Sequence, residues 1–251
     1  LAKWGEVSTN GQVSGRRNLI INGAMQVAQR GTSQASISSA GYYVQDRFKV
    51  NTNDAGVWTQ TQESLTTSDT PFQNGLTQAL KLDCTTASAS LDAAGTLQIN
   101  QAIEGYNVQR LGSGSSSAKS ITVSFWIKAT KTGTNVLASY QDDGGKQVAA
   151  TYTINVSNTW EFKTVTLPAN TADAVVNDNT RGRLVTWYFA AGSNRTSGTL
   201  RNTWTAYATA DEAVGQVNHA DNVANNIHIT GIQVEVGPVA TNFEHRSFGE
   251  E

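Results

Sequence analysis

Along most of the chain, apolar and polar residues alternate in short runs separated by Gly, Asn, Asp and Ser. The runs fall at 43–50, 56–64, 79–86, 96–103, 120–130, 134–140, 148–156, 160–168, 183–192, 203–210 and 226–236. A period of two puts successive side chains on opposite faces of a strand, and many short strands with turns between them predict an all-β sandwich or barrel. In 96–103, Leu97, Ile99 and Ile103 share one parity against Gln98 and Asn100; in 120–130, Ile121, Val123, Phe125 and Ile127 oppose Thr122, Ser124 and Lys128. One face of each strand is therefore core and the other partly wet.

Two runs break their own rhythm. In 226–236 the apolar parity of Ile227 and Ile229 passes to Ile232, Val234 and Val236 across Gly231, which predicts a β-bulge there. In 160–168, Trp160 and Phe162 hand over to Val165 and Leu167, which predicts a kink near Lys163. The one helical turn expected lies in 100–111, weakened by Gly105, with a flexible loop at 112–118. Residues 1–17 lack periodicity and read as an arm anchored by Trp4. Residues 17–33 read as a strand at Leu19–Ile21, an Asn22-Gly23 turn and a second apolar run, and 31–41 as a Ser-rich loop. This gives a two-sheet sandwich over 18–251. Its last strand stops at Pro238, and a clasp over 237–251 folds back, with Phe243 as anchor and Glu244 and Arg246 as rim charges.

Composition narrows the functional classes. Of 251 residues only 15% are charged and the net charge is −2, so there is no basic field for nucleic acid. No apolar stretch approaches the roughly 18 residues of a membrane span, and no leader opens the chain, which reads as soluble. The first residue is Leu, as in a processed, excised or partial sequence. Cys84, the only cysteine, sits among alternating leucines and reads as a small core residue.

Catalytic patterns are weak. His219, His228 and His245 lie in no nucleophile elbow, and Asp142-Asp143, Asp211-Glu212 and Asp221 read as solvated turn carboxylates. Zinc is excluded by ligand spacing; calcium is the one cofactor the loops admit, through Asp142, Asp143 and Asp221. The sequons at Asn155 and Asn194 are expected by chance. The aromatics remain: five tryptophans from Trp58 onward, with Tyr42, Tyr43, Tyr106, Tyr140, Tyr152, Tyr188 and Tyr207. An exposed indole stacks on a sugar face. Trp126 opposes its strand's apolar parity and Trp58 follows a glycine, marking these two for exposure and ligand binding ahead of Trp187 and Trp204.

Five stretches in order, RNLIINGAMQVAQRGTS, YYVQDRF, QAIEGYNVQRL with SITVSFWIKAT, NTWEFKTVTLP and ITGIQVEVGPVATNFEHRSFGEE, resemble a family of bacteriophage virion proteins. These are tail-fibre or receptor-binding subunits that carry a jelly roll like that of carbohydrate-binding modules. The resemblance implies a jelly roll on the virion surface, other virion proteins as partners, a homotrimer, and attachment to a host surface glycan. It also implies that relatives continue beyond the closing stretch. Sugar-binding relatives carry acidic residues after the Asn-Gly pair, near a structural calcium; here Ala24, Met25 and Gln26 follow, which puts that calcium in question.

The leading expectation is thus a structural, adhesive, non-enzymatic phage appendage protein. A purely architectural collar, capsid-fibre or adaptor subunit is the second reading. A polysaccharide depolymerase, with Asp142 and Asp143 as its carboxylates, is the third.

Overall fold

The computed structural model describes residues 16–251; the arm and its Trp4 lie outside the described residues except for Arg16 and Arg17. In chain order the strands are β1 (Ser33–Ile37), β2 (Lys49–Asn53), β3 (Val57–Ser64), β4 (Gln78–Thr86), β5 (Thr96–Glu104) and β6 (Ile121–Ala129). They continue as β7 (Gly133–Gln141), β8 (Lys146–Ile154), β9 (Glu161–Leu167), β10 (Arg181–Ala191), β11 (Thr205–Ala206) and β12 (Asn226–Val236). They form two six-stranded sheets, β1-β3-β4-β12-β6-β9 and β11-β8-β7-β10-β5-β2, antiparallel throughout. The chain repeatedly crosses between sheets, so the fold is the expected two-sheet jelly roll. Among the described residues no helix is long and apolar enough to cross a membrane.

The predicted parities meet between the sheets. Phe125 of β6 packs edge-to-face on Tyr152 of β8 and Trp187 of β10, at centroid distances of 5.1 and 5.9 Å. Cys84 is a buried free thiol in the same core.

The bulge in β12 falls where the parity break put it. Register slips between Thr230 and Gln233, and Gly231 has φ +60°. A bulge strands backbone groups, and segment 18–23 satisfies them: the Asn18 amide donates to the Ile232 carbonyl at 3.0 Å and accepts from the Val234 N–H at 2.9 Å. The Ile232 N–H then donates to the Gly23 carbonyl at 2.9 Å. A Cβ on Gly23 would lie 2.1 Å from the Ile232 oxygen, so the Asn22-Gly23 turn requires glycine for backbone approach. Leu19–Ile21 is consequently not a strand but a docked segment held by the Asn18 side chain.

Other expectations change. β1 occupies the expected Ser-rich loop, and 43–48 is a turn before β2. The helical turn begins only at Gly105, because β5 runs on through Glu104. β9 pairs with β6 in unbroken register, so there is no kink at Lys163: Phe162 points outward, half exposed, and Trp160 precedes the strand. The returning segment is a clasp anchored by Phe243, which packs, as Trp126 and Phe72 do, on a buried cluster of Ala24, Leu65, Leu76, Ala79 and Trp160. Its charges are not at a rim. The Arg246 side chain is only 6% exposed and donates to the carbonyls of Asn18 and Ile20, while Glu244 accepts the N–H groups of Arg17 and Asn18 at 3.0 Å each.

Candidate functional site

The outward face of the second sheet holds a trough. Side chains two apart share a face, so Leu184, Thr186 and Tyr188 of β10 all point outward. Register sets Thr186 opposite Ala138 of β7 and Asn100 of β5, and Ala138 opposite Ala149 of β8. This row of small side chains runs across the strands. On one flank Tyr188 stands opposite Gln98; on the other Tyr140 stands opposite Leu184 and Gln147. The loop after β10 comes over the trough with Arg201, Tyr207, Asp211 and Glu212, enclosing about 300 Å³. Neighbouring strands lie about 4.8 Å apart, so the four strands from β8 to β5 give a floor of roughly 14 Å, the span of a short oligomer.

The covering loop is fixed by its own bonds. The Ala149 N–H donates to the Arg201 carbonyl at 2.7 Å, and Asp211 accepts the Thr199 N–H at 2.7 Å and Arg201 Nε at 2.6 Å. Arg201 and the Thr199 amide hold the Asp211 carboxyl below its ordinary range. Glu212 pairs with Arg195 and accepts the Tyr207 hydroxyl at 2.5 Å. Burial, reinforced by Glu212, pushes the Tyr207 and Tyr188 hydroxyls up, so both remain protonated donors. At the mouth, Arg181 grips Asp142 through two 2.6 Å bonds, and its guanidinium lies 5.8 Å from the Tyr140 ring centre. The trough thus has aromatic walls, amide groups and arginines that are each matched by a carboxylate.

The expected binding tryptophans lie elsewhere. Trp58 and Trp187 are fully buried, which corrects the exposure expected of Trp58: it takes the inward parity of β3, and its indole N–H donates to the Ala55 carbonyl at 2.7 Å. Neither has surface left for a ligand. Trp204 is partly buried, donating to the Pro168 carbonyl at 2.7 Å beneath the Arg183 guanidinium. Trp126 does face outward, on the first sheet, 5.3 Å from Phe162.

The calcium candidates are dispersed among other partners: Asp142 on Arg181, Asp143 accepting the Val176 N–H at 2.9 Å, and Asp221 on Lys131. Among the described residues no three His, Cys, Asp or Glu side chains gather as a metal site. His219 is buried, its pKa pushed down to about 3 by burial, and sits 2.8 Å from the Asn135 amide oxygen. His228 contacts Glu63 at 2.5 Å, and His245 lies 3.0 Å from the Asn74 carbonyl.

Sequence reasoning named Tyr140, Tyr188 and Tyr207 only among the aromatics. A usable signal was present: 183–192 is apolar on both parities around Tyr188, which requires its outer face to be covered.

No protein-family model matches the sequence, and no curated protein matches it. Solved structures share the outline. One is the enzymatically active domain of bacteriophage CBA120 tailspike protein 4, at 13% identity and TM-score 0.44, over 87% of this chain and 21% of that one. The chain therefore spans about a fifth of the length of that domain. Another is TmCBM61 in complex with β-1,4-galactotriose, at 12% identity and TM-score 0.36, over 88% and 99%. A third is the family 11 carbohydrate-binding module of Clostridium thermocellum in complex with a β-1,3-1,4-mixed-linked tetrasaccharide, at 9% identity and TM-score 0.37, over 84% and 98%.

Proposed function

We propose that the chain is a non-catalytic glycan-binding jelly roll that takes a segment of saccharide chain in the trough of the second sheet. The observation that carries this reading is the row Thr186–Ala138–Ala149 with the Gln98 and Gln147 amides beside it, flanked by Tyr188 and Tyr140 and overhung by Tyr207. A pyranose presents C–H faces to aromatic rings and hydroxyls to amides, and the trough offers both.

The state of the carboxylates supports binding without cleavage. Glycoside hydrolysis needs a carboxylic acid to protonate the leaving oxygen. Asp211 is held ionised by Arg201, and Glu212 has its oxygens engaged by Arg195 and Tyr207. Asp142, the depolymerase candidate, is clamped by Arg181, and Asp143 is spent on the Val176 amide.

The biological setting comes from the five motif stretches: an appendage or tail-fibre subunit on a virion surface, trimeric, partnered by other virion proteins and attaching to a host surface glycan. The test is a glycan array followed by calorimetry on the parent and on Tyr140→Ala. The parent binds a defined glycan set, and the variant loses it. A parent that binds none of the host-envelope glycans, or a Tyr140→Ala variant that binds as the parent does, overturns the reading.

A further inference from the structure

The outward face of the first sheet carries a second cleft, of about 600 Å³, between β6 and β9 on one side and residues 240–245 of the clasp on the other. Register puts Trp126 directly opposite Phe162, and their rings lie 5.3 Å apart at 53°. Phe162 is 48% exposed, an unusual position for a phenyl ring on the wet face of an edge strand. The facing wall is also aromatic: Phe243 and His245 meet edge-to-face at 5.0 Å.

The polar groups of the cleft are hydroxyls, amides and the His245 imidazole. Ser124 lines it although only 2% exposed. The Asn242 amide stands at the rim. No Asp, Glu, Lys or Arg lines the cleft among the described residues. The bulge seats the sheet-side wall, since Gly231 lies in the floor, where a Cβ would come within 3.3 Å of Trp126 Cδ1.

We infer that this cleft is a second saccharide site that takes one neutral pyranose ring between its two aromatic walls. Two aromatic walls suit a flat ring with C–H faces, and the buried Ser124 hydroxyl and Asn242 amide suit its equatorial hydroxyls. An anionic sugar would lose hydration here with no lysine or arginine lining the cleft among the described residues, which disfavours it. The inference does not depend on the trough, which lies on the other sheet.

The test follows Trp126 fluorescence, isolated by difference from Trp126→Phe, during titration with neutral gluco-, galacto- and manno-oligosaccharides and with uronate-containing ones. The expected result is a saturable change with a neutral sugar at millimolar concentration, about tenfold weaker in Phe162→Ala and unaltered in Tyr207→Ala. No response to any neutral sugar, tighter binding of uronates, or unchanged affinity in Phe162→Ala overturns the inference. Loss of the signal in Tyr207→Ala does so as well, by moving the sugar to the trough. Sedimentation of the parent as an oligomer that Phe162→Ala dissociates would make the cleft an interface between copies, and also ends the inference. If Tyr207→Ala and Tyr140→Ala leave all sugar binding intact while Phe162→Ala weakens it, the trough reading fails and the second site stands.

Discussion

Tyr140 and Tyr207 meet edge-to-face at the mouth of the trough, their ring centroids 5.3 Å apart and their planes at 77°. Tyr140 stands on β7, whereas Tyr207 belongs to the covering loop and is 44% exposed. The contact therefore joins the covering loop to the floor of the trough. Tyr207→Ala is expected to weaken glycan affinity roughly tenfold while shifting the melting temperature by no more than about 2 °C. Tyr207→Phe keeps the ring and loses the bond to Glu212, so its affinity falls between the two. Calorimetry and thermal unfolding on the same samples check both halves of the prediction.

Arg183 offers a second test. Its side chain is buried, its guanidinium lies 4.3 Å from the Trp204 ring centre, and it donates to Ser113 Oγ at 3.0 Å and Gln141 Oε1 at 3.2 Å, with no carboxylate partner among the described residues. Burial pushes its pKa down to about 10. A planar, weakly hydrated cation tolerates such a site where an ammonium does not. Arg183→Lys should cost about 2 kcal/mol, and Arg183→Met less, because it removes the desolvated charge while Asn170 still serves Gln141. Urea unfolding that ranks Met below Lys would refute this account of the stack.

Gly231→Ala should destabilise the sandwich by about 2–3 kcal/mol. The backbone there is left-handed at φ +60°, and the added Cβ would stand 2.7 Å from Leu76 Cδ1 in a fully buried contact. Chemical denaturation measures the loss, and amide exchange at Asn18 and Gly23 should rise with it.

Glu161 carries an acid-dependent contribution. Burial would raise its carboxyl, but Lys163 at 2.5 Å, the Val156 N–H at 2.9 Å and the Asn155 N–H at 2.8 Å outweigh it and bring the pKa from 4.5 to about 2. A carboxyl depressed in the folded state stabilises it above the unfolded value and ceases to as pH falls through the folded one. The stability difference between parent and Glu161→Gln should therefore be constant above about pH 4.5 and shrink between there and about pH 2. Urea midpoints across that range test the window.

The sequence carried the β class, the parities of β5 and β6, the bulge at Gly231, the buried Cys84 and the Phe243 clasp. Each depends on period-two patterning or on one residue's backbone chemistry. It misread Leu19–Ile21 because a docked segment and a strand share the same apolar pattern, and only the Asn18 bonds to the bulge distinguish them. It expected exposure at Trp58 because a glycine precedes it, whereas pairing with β4 turns that indole inward.

What the sequence by itself determined is which residues face a core, since alternation is local and needs no knowledge of neighbours. Tertiary structure alone decided which wet faces become recessed. The trough exists because separate strands place Thr186, Ala138 and Ala149 in one row and a distant loop lowers Tyr207 over it. The second cleft exists because the clasp returns Phe243 opposite Trp126 and Phe162. Strand order, register and loop return are fixed by the joint packing of residues far apart in the chain, which no local pattern encodes.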